Sequence, residues 1–262
     1  MSHVSKKFGQ FAYFDAQLRH PEWQGKYVLD FGGNSGNILK TPERAIDESR
    51  YWCLDVSLDG IEEGRRAFPD AHWILYDRYN ISFNPGGLRS LPIPPMAQRF
   101  DFILAYSVFN HVDVDEMDDL TGQLMQLLKP GGAFAFSFID PFFRSWPDEY
   151  KGTNLDWRLD RLCESPDAPR SRLIEKASAC NWFRLAGDDS RLALFSEDEP
   201  MAEPSLYEGR QYHVFHTAEF MRRHFPGGEI LPPATQEMQH CCVLRALCTE
   251  GESETGLTSN RE

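Results

Sequence analysis

Val28-Leu29-Asp30-Phe31-Gly32-Gly33-Asn34-Ser35-Gly36 is a short apolar run that breaks into a glycine-rich turn. The run reads as a buried strand. In the turn, the missing side chains let a ligand approach the backbone closely. Gly32, Asn34 and Gly36 take alternate positions, and asparagine tolerates the left-handed conformation better than other residues with a bulky side chain. A dinucleotide fingerprint requires glycine at three offsets. With its first glycine on Gly32, Asn34 and Asn37 stand where the other two belong, which argues against a nicotinamide cofactor. Asp55 ends the next apolar run, 19 residues past Gly36, where a carboxylate can accept both hydroxyls of a ribose.

Working outward, apolar runs at 27–31, 51–55, 72–76 and 100–106 each end in a polar or glycine-rich turn. Near-continuous apolar strands separated by crossovers mark a parallel sheet buried on both faces. The clearest helix spans 114–128, where Met117, Leu120, Leu124, Leu127 and Leu128 make one apolar stripe while Asp115, Glu116, Asp118 and Asp119 face away. Asp113 with Glu116 resembles a capping box, and Lys129-Pro130-Gly131-Gly132 is expected to stop this helix and turn into a strand over 133–139. Phe8, Phe11, Phe14 and Leu18 predict an N-terminal amphipathic helix ending at His20-Pro21. Two crossovers are irregular: Thr41-Pro42 interrupts the helix expected after the first strand, and 78–99 carries Pro85, Gly86, Gly87, Pro92, Pro94 and Pro95, so it reads as loop or broken helix. From 141 to 211 the pattern turns to Trp, Pro and mixed charge without a sheet period, as an insertion or lid would. A helix returns over 217–225 with Thr217 as N-cap, strands follow at 229–231 and 240–247, and the polar stretch 249–262 reads as a disordered tail.

The 262 residues suffice for one large α/β domain with an insertion. A formal net charge of -13 without a dense Lys/Arg cluster disfavours nucleic acid as a partner. The longest apolar run, 102–109, is far shorter than the roughly 20 residues that span a bilayer, so no membrane segment is expected. The first residues show no signal-peptide core, and the expectation is a cytoplasmic protein. Six cysteines (Cys53, Cys163, Cys180, Cys241, Cys242 and Cys248) contain no CxxC pair, so reduced thiols and no metal site are expected.

Five segments follow in order: 28–36, Leu54-Asp55-Val56-Ser57, Tyr76-Asp77, the run 100–112 from Phe100 to Val112, and Leu127-Leu128-Lys129-Pro130-Gly131-Gly132. Together they resemble the class I, Rossmann-like S-adenosylmethionine-dependent methyltransferases over 27–140, with 217–248 continuing the match. The resemblance implies an α/β fold: a doubly wound, mostly parallel seven-stranded sheet with helices on both faces, its final strand antiparallel, and a lid inserted after the fifth strand. The implied division is an N-terminal helical segment 1–26, a Rossmann-like domain of 27–140 with 212–248, an insertion 141–211 and a tail 249–262. It implies S-adenosyl-L-methionine as cofactor. Asp30, Gly32, Gly33, Asn34 and Gly36 would lie under its methionine part, Asp55 would bind the ribose, Val56 would pack on the adenine, and Asp77 would take the adenine amino group. Tyr106 and Ser107 would line the floor beside the reacting methyl. The departures are Asn34 for the usual middle glycine and the two irregular crossovers.

Transfer from a sulfonium asks the protein to orient a nucleophile and exclude water. A hydroxyl or ammonium acceptor also needs a base. His111, following the fourth strand at the sheet's carboxyl edge, is the catalytic candidate, with a pocket-shaping or capping role as the alternative. Asn110 and Asp113 stand at the same edge, and Asp140 either caps a turn or meets substrate. His213 and His216 read as surface or core residues. Phe142, Phe143, Trp146 and Tyr150 offer a lid core or an aromatic wall, and Phe11, Tyr13 and Phe14 are placed to close over the cofactor. Cys241 and Cys242 point to opposite sheet faces and read as packing residues. The expected acceptor is a small molecule. Peptide or protein methylation, a non-catalytic cofactor-binding protein, and a nicotinamide dehydrogenase are the successive alternatives.

Overall fold

The computed structural model describes residues 9–41, 45–80, 83–112, 114–140, 183–185, 191–195, 212–216, 218–233 and 239–247, with backbone alone at 183–185, 191–195 and 212–215. In chain order its elements are α1 (Gln10–Gln17), β1 (Val28–Phe31), β2 (Tyr51–Asp55), α2 (Leu58–Ala67), β3 (His72–Leu75), β4 (Phe100–Ala105), α3 (Val114–Met125) and β5 (Leu128–Phe138). There follow β6 (Phe183–Leu185), β7 (Arg191–Phe195), β8 (Tyr212–His216), α4 (Ala218–His224), β9 (Glu229–Leu231) and β10 (His240–Arg245). Seven strands form one sheet in the order β3-β2-β1-β4-β5-β10-β9. β1 pairs in parallel with β2 and β4, β2 with β3, and β4 with β5, while β10 runs antiparallel to both β5 and β9. The order reverses between β1 and β4, and open α/β sheets bind ligands at the carboxyl ends of the strands flanking such a reversal.

Strand alternation assigns each side chain to a face. Leu29, Phe31, Leu54, Ile103, Phe134, Phe136 and Leu244 turn to the face covered by α3 and α4, through Met117, Leu120, Leu124 and Met221. Val28, Tyr51, Cys53, Leu104, Ala135 and Val243 turn to the other, covered by Phe11, Tyr13 and Phe14 of α1 and Ile61 of α2. Helices thus cover both faces, each fully buried Leu or Phe adding about 1.5–3 kcal/mol. Cys241 and Cys242 fall on opposite faces. Both thiols are buried and free, and burial pushes Cys241 up to about 12. Tyr13 of α1 donates its hydroxyl to the His240 carbonyl at 2.7 Å, and Gln17 donates to the Pro232 carbonyl at 3.0 Å.

Two expectations need correction, and the first crossover is as irregular as its sequence. Lys129-Pro130-Gly131-Gly132 does not stop α3, which ends at Met125; these residues lie within β5 as a bulge, because Leu128 pairs with Phe100 and the next partners are Ala133 and Phe102. Between β1 and β2 the described residues hold turns and a 3-10 turn, Glu48–Arg50, and no α-helix. Inside the stretch read as lacking a sheet period, β6 and β7 form with β8 a separate three-stranded antiparallel sheet. β8 lies against the 3-10 turn Phe109–His111, and the His216 N–H donates to the Ile139 carbonyl at 3.0 Å. Asp113, Thr217, the aromatic residues at 142–150, Cys163, Cys180, Cys248 and the tail 249–262 lie outside the described residues. No helix among the described residues is long and apolar enough to cross a membrane.

Candidate active site

The glycine turn leaves β1 at the sheet's carboxyl edge. Gly32 has φ +76°, and a Cβ there would stand 2.3 Å from Val108 Cγ2, so both conformation and space require glycine. At Gly33 a Cβ would stand 2.5 Å from the Asp30 carboxyl carbon. Asn34 and Gly36 are also left-handed, at φ +51° and +75°. Asn34 holds that conformation partly through its own amide, whose Oδ1 accepts from the Ser35 N–H at 2.8 Å. The turn is therefore an ordered concave backbone.

Beneath it lie the acids. Because residues 30, 51, 53 and 55 share one face of two adjacent strands, Asp30, Tyr51, Cys53 and Asp55 cluster. Asp55 spans two elements: Oδ2 accepts from the Asn34 N–H at 2.7 Å and Oδ1 from the Ser57 N–H at 2.7 Å. Ser57 in turn caps α2, its hydroxyl accepting from the Gly60 N–H at 3.2 Å. Asp30 is 1% exposed and accepts the Tyr51 hydroxyl at 2.7 Å. Burial pushes its carboxyl up to about 7 against that hydrogen bond, with the Asp55 charge adding to the rise. Burial also raises Asp55, opposed by the N–H groups of Ser57, Asn34 and Val56. The Cys53 thiol and Tyr51 hydroxyl are raised by the same burial, so neither ionises near neutrality. Val56 is half-buried on the way into α2.

Across the strand reversal, Tyr106 and Ser107 extend β4. The Tyr106 ring meets Tyr13 edge-on at 5.2 Å and Phe14 at 6.2 Å. Phe11, Tyr13 and Phe14 are buried between α1 and the sheet, in its core. Ser107 has φ +59° and donates its N–H to Ser137 Oγ at 2.7 Å. His111 ends the following 3-10 turn, its ring edge-on to Phe83 at 4.8 Å and its carbonyl accepting from Asn80 at 3.3 Å. Asp77 is exposed, with Oδ1 accepting from Asn84 at 3.0 Å. Asp140 accepts the N–H of Ala218 at 2.8 Å, which starts α4, so it takes the capping role. His216 is buried and stacks on Phe220.

Two contributors escaped sequence reading. Arg78, 6% exposed, ties the proline-rich crossover to α3 through Glu116 and Asp119, each at 2.9 Å, and to the Leu91 carbonyl at 2.8 Å. Burial alone would lower its pKa; the hydrogen bonds it donates to Tyr76, Asp119 and Glu116 outweigh that and raise it. Its only sequence signal is a pair of acids three apart on one face of α3. Gln239 joins the far end of β4, accepting from Ser137 and Asn110 across 102 and 129 residues, a separation no local pattern betrays. Two cavities of about 410 and 340 Å³ among the described residues open elsewhere, at the amino ends of the parallel strands around Trp23 and around Lys26 and Arg245.

Residues 29–134, the stretch from β1 into β5 that carries the turn, the acids and the β4 end, match the family model described as a methyltransferase domain. Over that stretch the chain is similar to class I methyltransferases. Its strand order and single antiparallel strand, β10, are those expected for that class. The methyltransferase fold is also that of the glycopeptide N-methyltransferase MtfA complexed with sinefungin, which is 10% identical and aligns over 94% of this chain and 96% of that one at a TM-score of 0.53. The same enzyme complexed with (S)-adenosyl-L-methionine aligns over 92% of this chain and 94% of that one, at 11% identity and a TM-score of 0.51.

Proposed function

We propose that this methyltransferase uses S-adenosyl-L-methionine to methylate an O, N or C nucleophile of a small molecule. The observation that carries the reading is the coincidence of the 29–134 family match with a left-handed glycine turn pinned by a buried acid at the β1/β4 reversal. The donor set fits the cofactor. Asp55 accepts from the backbone N–H groups of Asn34 and Ser57, with that of Val56 also directed at it, and its carboxylate retains acceptor capacity for a ribose hydroxyl. The side-chain-free surface of Gly32, Gly33 and Gly36, with Asn34, suits the methionine part, and the acid pair Asp30 and Asp55 favours a cation beside it.

Bound there, S-adenosylmethionine supplies the electrophilic methyl group. Val56 and Asp77 serve its adenine, and Tyr106 and Ser107 form the floor beside the methyl. His111 acts as general base for a hydroxyl or ammonium acceptor, with Phe83 and Asn80 fixing its place. The small-molecule acceptor is favoured by an acidic chain of net charge -13, which repels nucleic acid, and no membrane partner is invoked. The buried free thiols Cys53, Cys241 and Cys242 suit a reducing, cytoplasmic setting.

Calorimetry should show binding of S-adenosylmethionine and S-adenosylhomocysteine and none of NAD; the reverse pattern overturns the assignment. Incubating the enzyme and methyl-labelled cofactor with host extract should place label in the small-molecule fraction. Label confined to protein would replace the acceptor class.

A further inference from the structure

The carboxyl ends of β4 and β5, the turn after β4 and the approach to β10 bring four uncharged polar side chains together. Gln239 Oε1 accepts from Ser137 Oγ at 2.5 Å and from Asn110 Nδ2 at 3.3 Å. Asn110 Nδ2 also donates to Ser107 Oγ at 3.1 Å, and Ser107 donates its backbone N–H to Ser137. Both amides are thereby fixed in orientation. Two groups remain unused among the described residues. Asn110 Oδ1 has no partner although the residue is only 1% exposed, and Gln239 Nε2 donates to no protein group.

An orphaned amide oxygen held in place by a satisfied network is not what packing alone selects, since buried polar groups find partners wherever they can. Ser107 adds a second sign. A non-glycine residue held at φ +59° stores strain of the kind that collects at functional sites. Ser107 and His111 flank Asn110 in sequence at the strand reversal, and β8 lies over the turn that carries it.

The geometry points to an acceptor-recognition subsite: Asn110 Oδ1 takes a hydrogen bond from a hydroxyl or amine of the methyl acceptor, and Gln239 Nε2 donates to an oxygen of the same molecule. This deepens the proposed transfer reaction and rests on it. None of the four side chains is charged, so the subsite suits an uncharged or amine-bearing polyol or amino alcohol rather than a carboxylate or phosphate. β8 lies against the 109–111 turn, so an acceptor bound there is shielded from bulk water.

The test uses isotope-labelled full-length protein saturated with S-adenosylhomocysteine and titrated with amino alcohols and diols, each paired with its fully O- and N-methylated counterpart. The parent compounds are expected to shift the side-chain amide NMR signals of Asn110 and Gln239 and to bind about tenfold more tightly than the capped ones. Gln239→Met and Asn110→Leu should erase that preference with S-adenosylhomocysteine affinity unchanged; should the asparagine variant fail to fold, Gln239→Met decides alone. Equal binding of parent and capped compounds, binding that leaves both amides unmoved, or no binding to the S-adenosylhomocysteine complex overturns the subsite. Failure of the wild-type protein to bind S-adenosylhomocysteine defeats the transfer reading itself, and this inference with it.

Discussion

Beneath the glycine turn, Asp30 and Asp55 are buried together, with Tyr51, Cys53 and backbone N–H groups as neighbours. In the proline-rich crossover, Arg78 is buried with two acids, Tyr76 and a carbonyl around it. Both clusters bring charge out of water, and only the second neutralises it internally. A charge matched by the protein's own groups secures one chain segment to another. A pair of like charges left without a cation is costly to the empty protein and is complementary to a positively charged ligand. On the proposed function, the first cluster serves binding and the second support.

The comparison breaks first at His111, which the crossover holds in place. If the crossover only supports, His111→Ala should lower turnover on the order of 10²–10⁴-fold while S-adenosylhomocysteine affinity stays constant. An unchanged pH–rate profile in that variant removes the residue as base. Next in size, Asp55→Ala should weaken S-adenosylhomocysteine about 100-fold in calorimetry, through lost ribose acceptance and a loosened Asn34 N–H. Near-normal affinity would show that Asp55 only pins the turn.

Arg78→Met should lower unfolding free energy by ~2–3 kcal/mol in denaturant titration, below the full cost for a buried pair because Glu116 and Asp119 retain access to solvent. Its cofactor affinity should move less than about threefold; a larger loss would mean that the crossover belongs to the binding surface. The smallest effect sharpens the acid cluster. Asp30 titrates near 7 when folded and near 3.8 when unfolded, so the native state holds its proton more tightly and stability falls as pH rises through that window. Asp30→Asn should therefore gain on the order of 2 kcal/mol over wild type at pH 8 and nothing at pH 4. His240 works in the opposite sense. Burial lowers it from 6.5 to about 4, so its contribution is complete above 6.5 and lost as pH falls toward 4, an acid limb that both proteins should share.

Much of this was legible in the chain itself. The strand from Tyr51 to Asp55 was bounded correctly because its apolar run is continuous and its neighbours are turn formers. Alternation also separated Cys241 from Cys242. Lys129-Pro130-Gly131-Gly132 misled because proline and glycine stop a helix and bulge a strand equally well, and only pairing with Phe100 and Phe102 distinguishes the two. The strands at 183–185 and 191–195 are short and lie in a stretch without sheet period. For the site, the turn and the acids of β1 and β2 lie within one local motif. Arg78 meets partners 38 and 41 residues away, and Asn110 meets Gln239 across 129. Such contacts depend on topology that no local period encodes.

The bond from Tyr13 to the His240 carbonyl joins residues 227 positions apart, and Gln17 reaches Pro232 across 215. A helix made among the first segments of the chain is thus seated on a strand made among the last. During synthesis the Tyr13 and Gln17 bonds cannot form until β9 and β10 are in place, although Phe11 meets Trp23 and Phe14 meets Tyr106 earlier. The helix thus gains its last two anchors only after the strands that carry the glycine turn are already made.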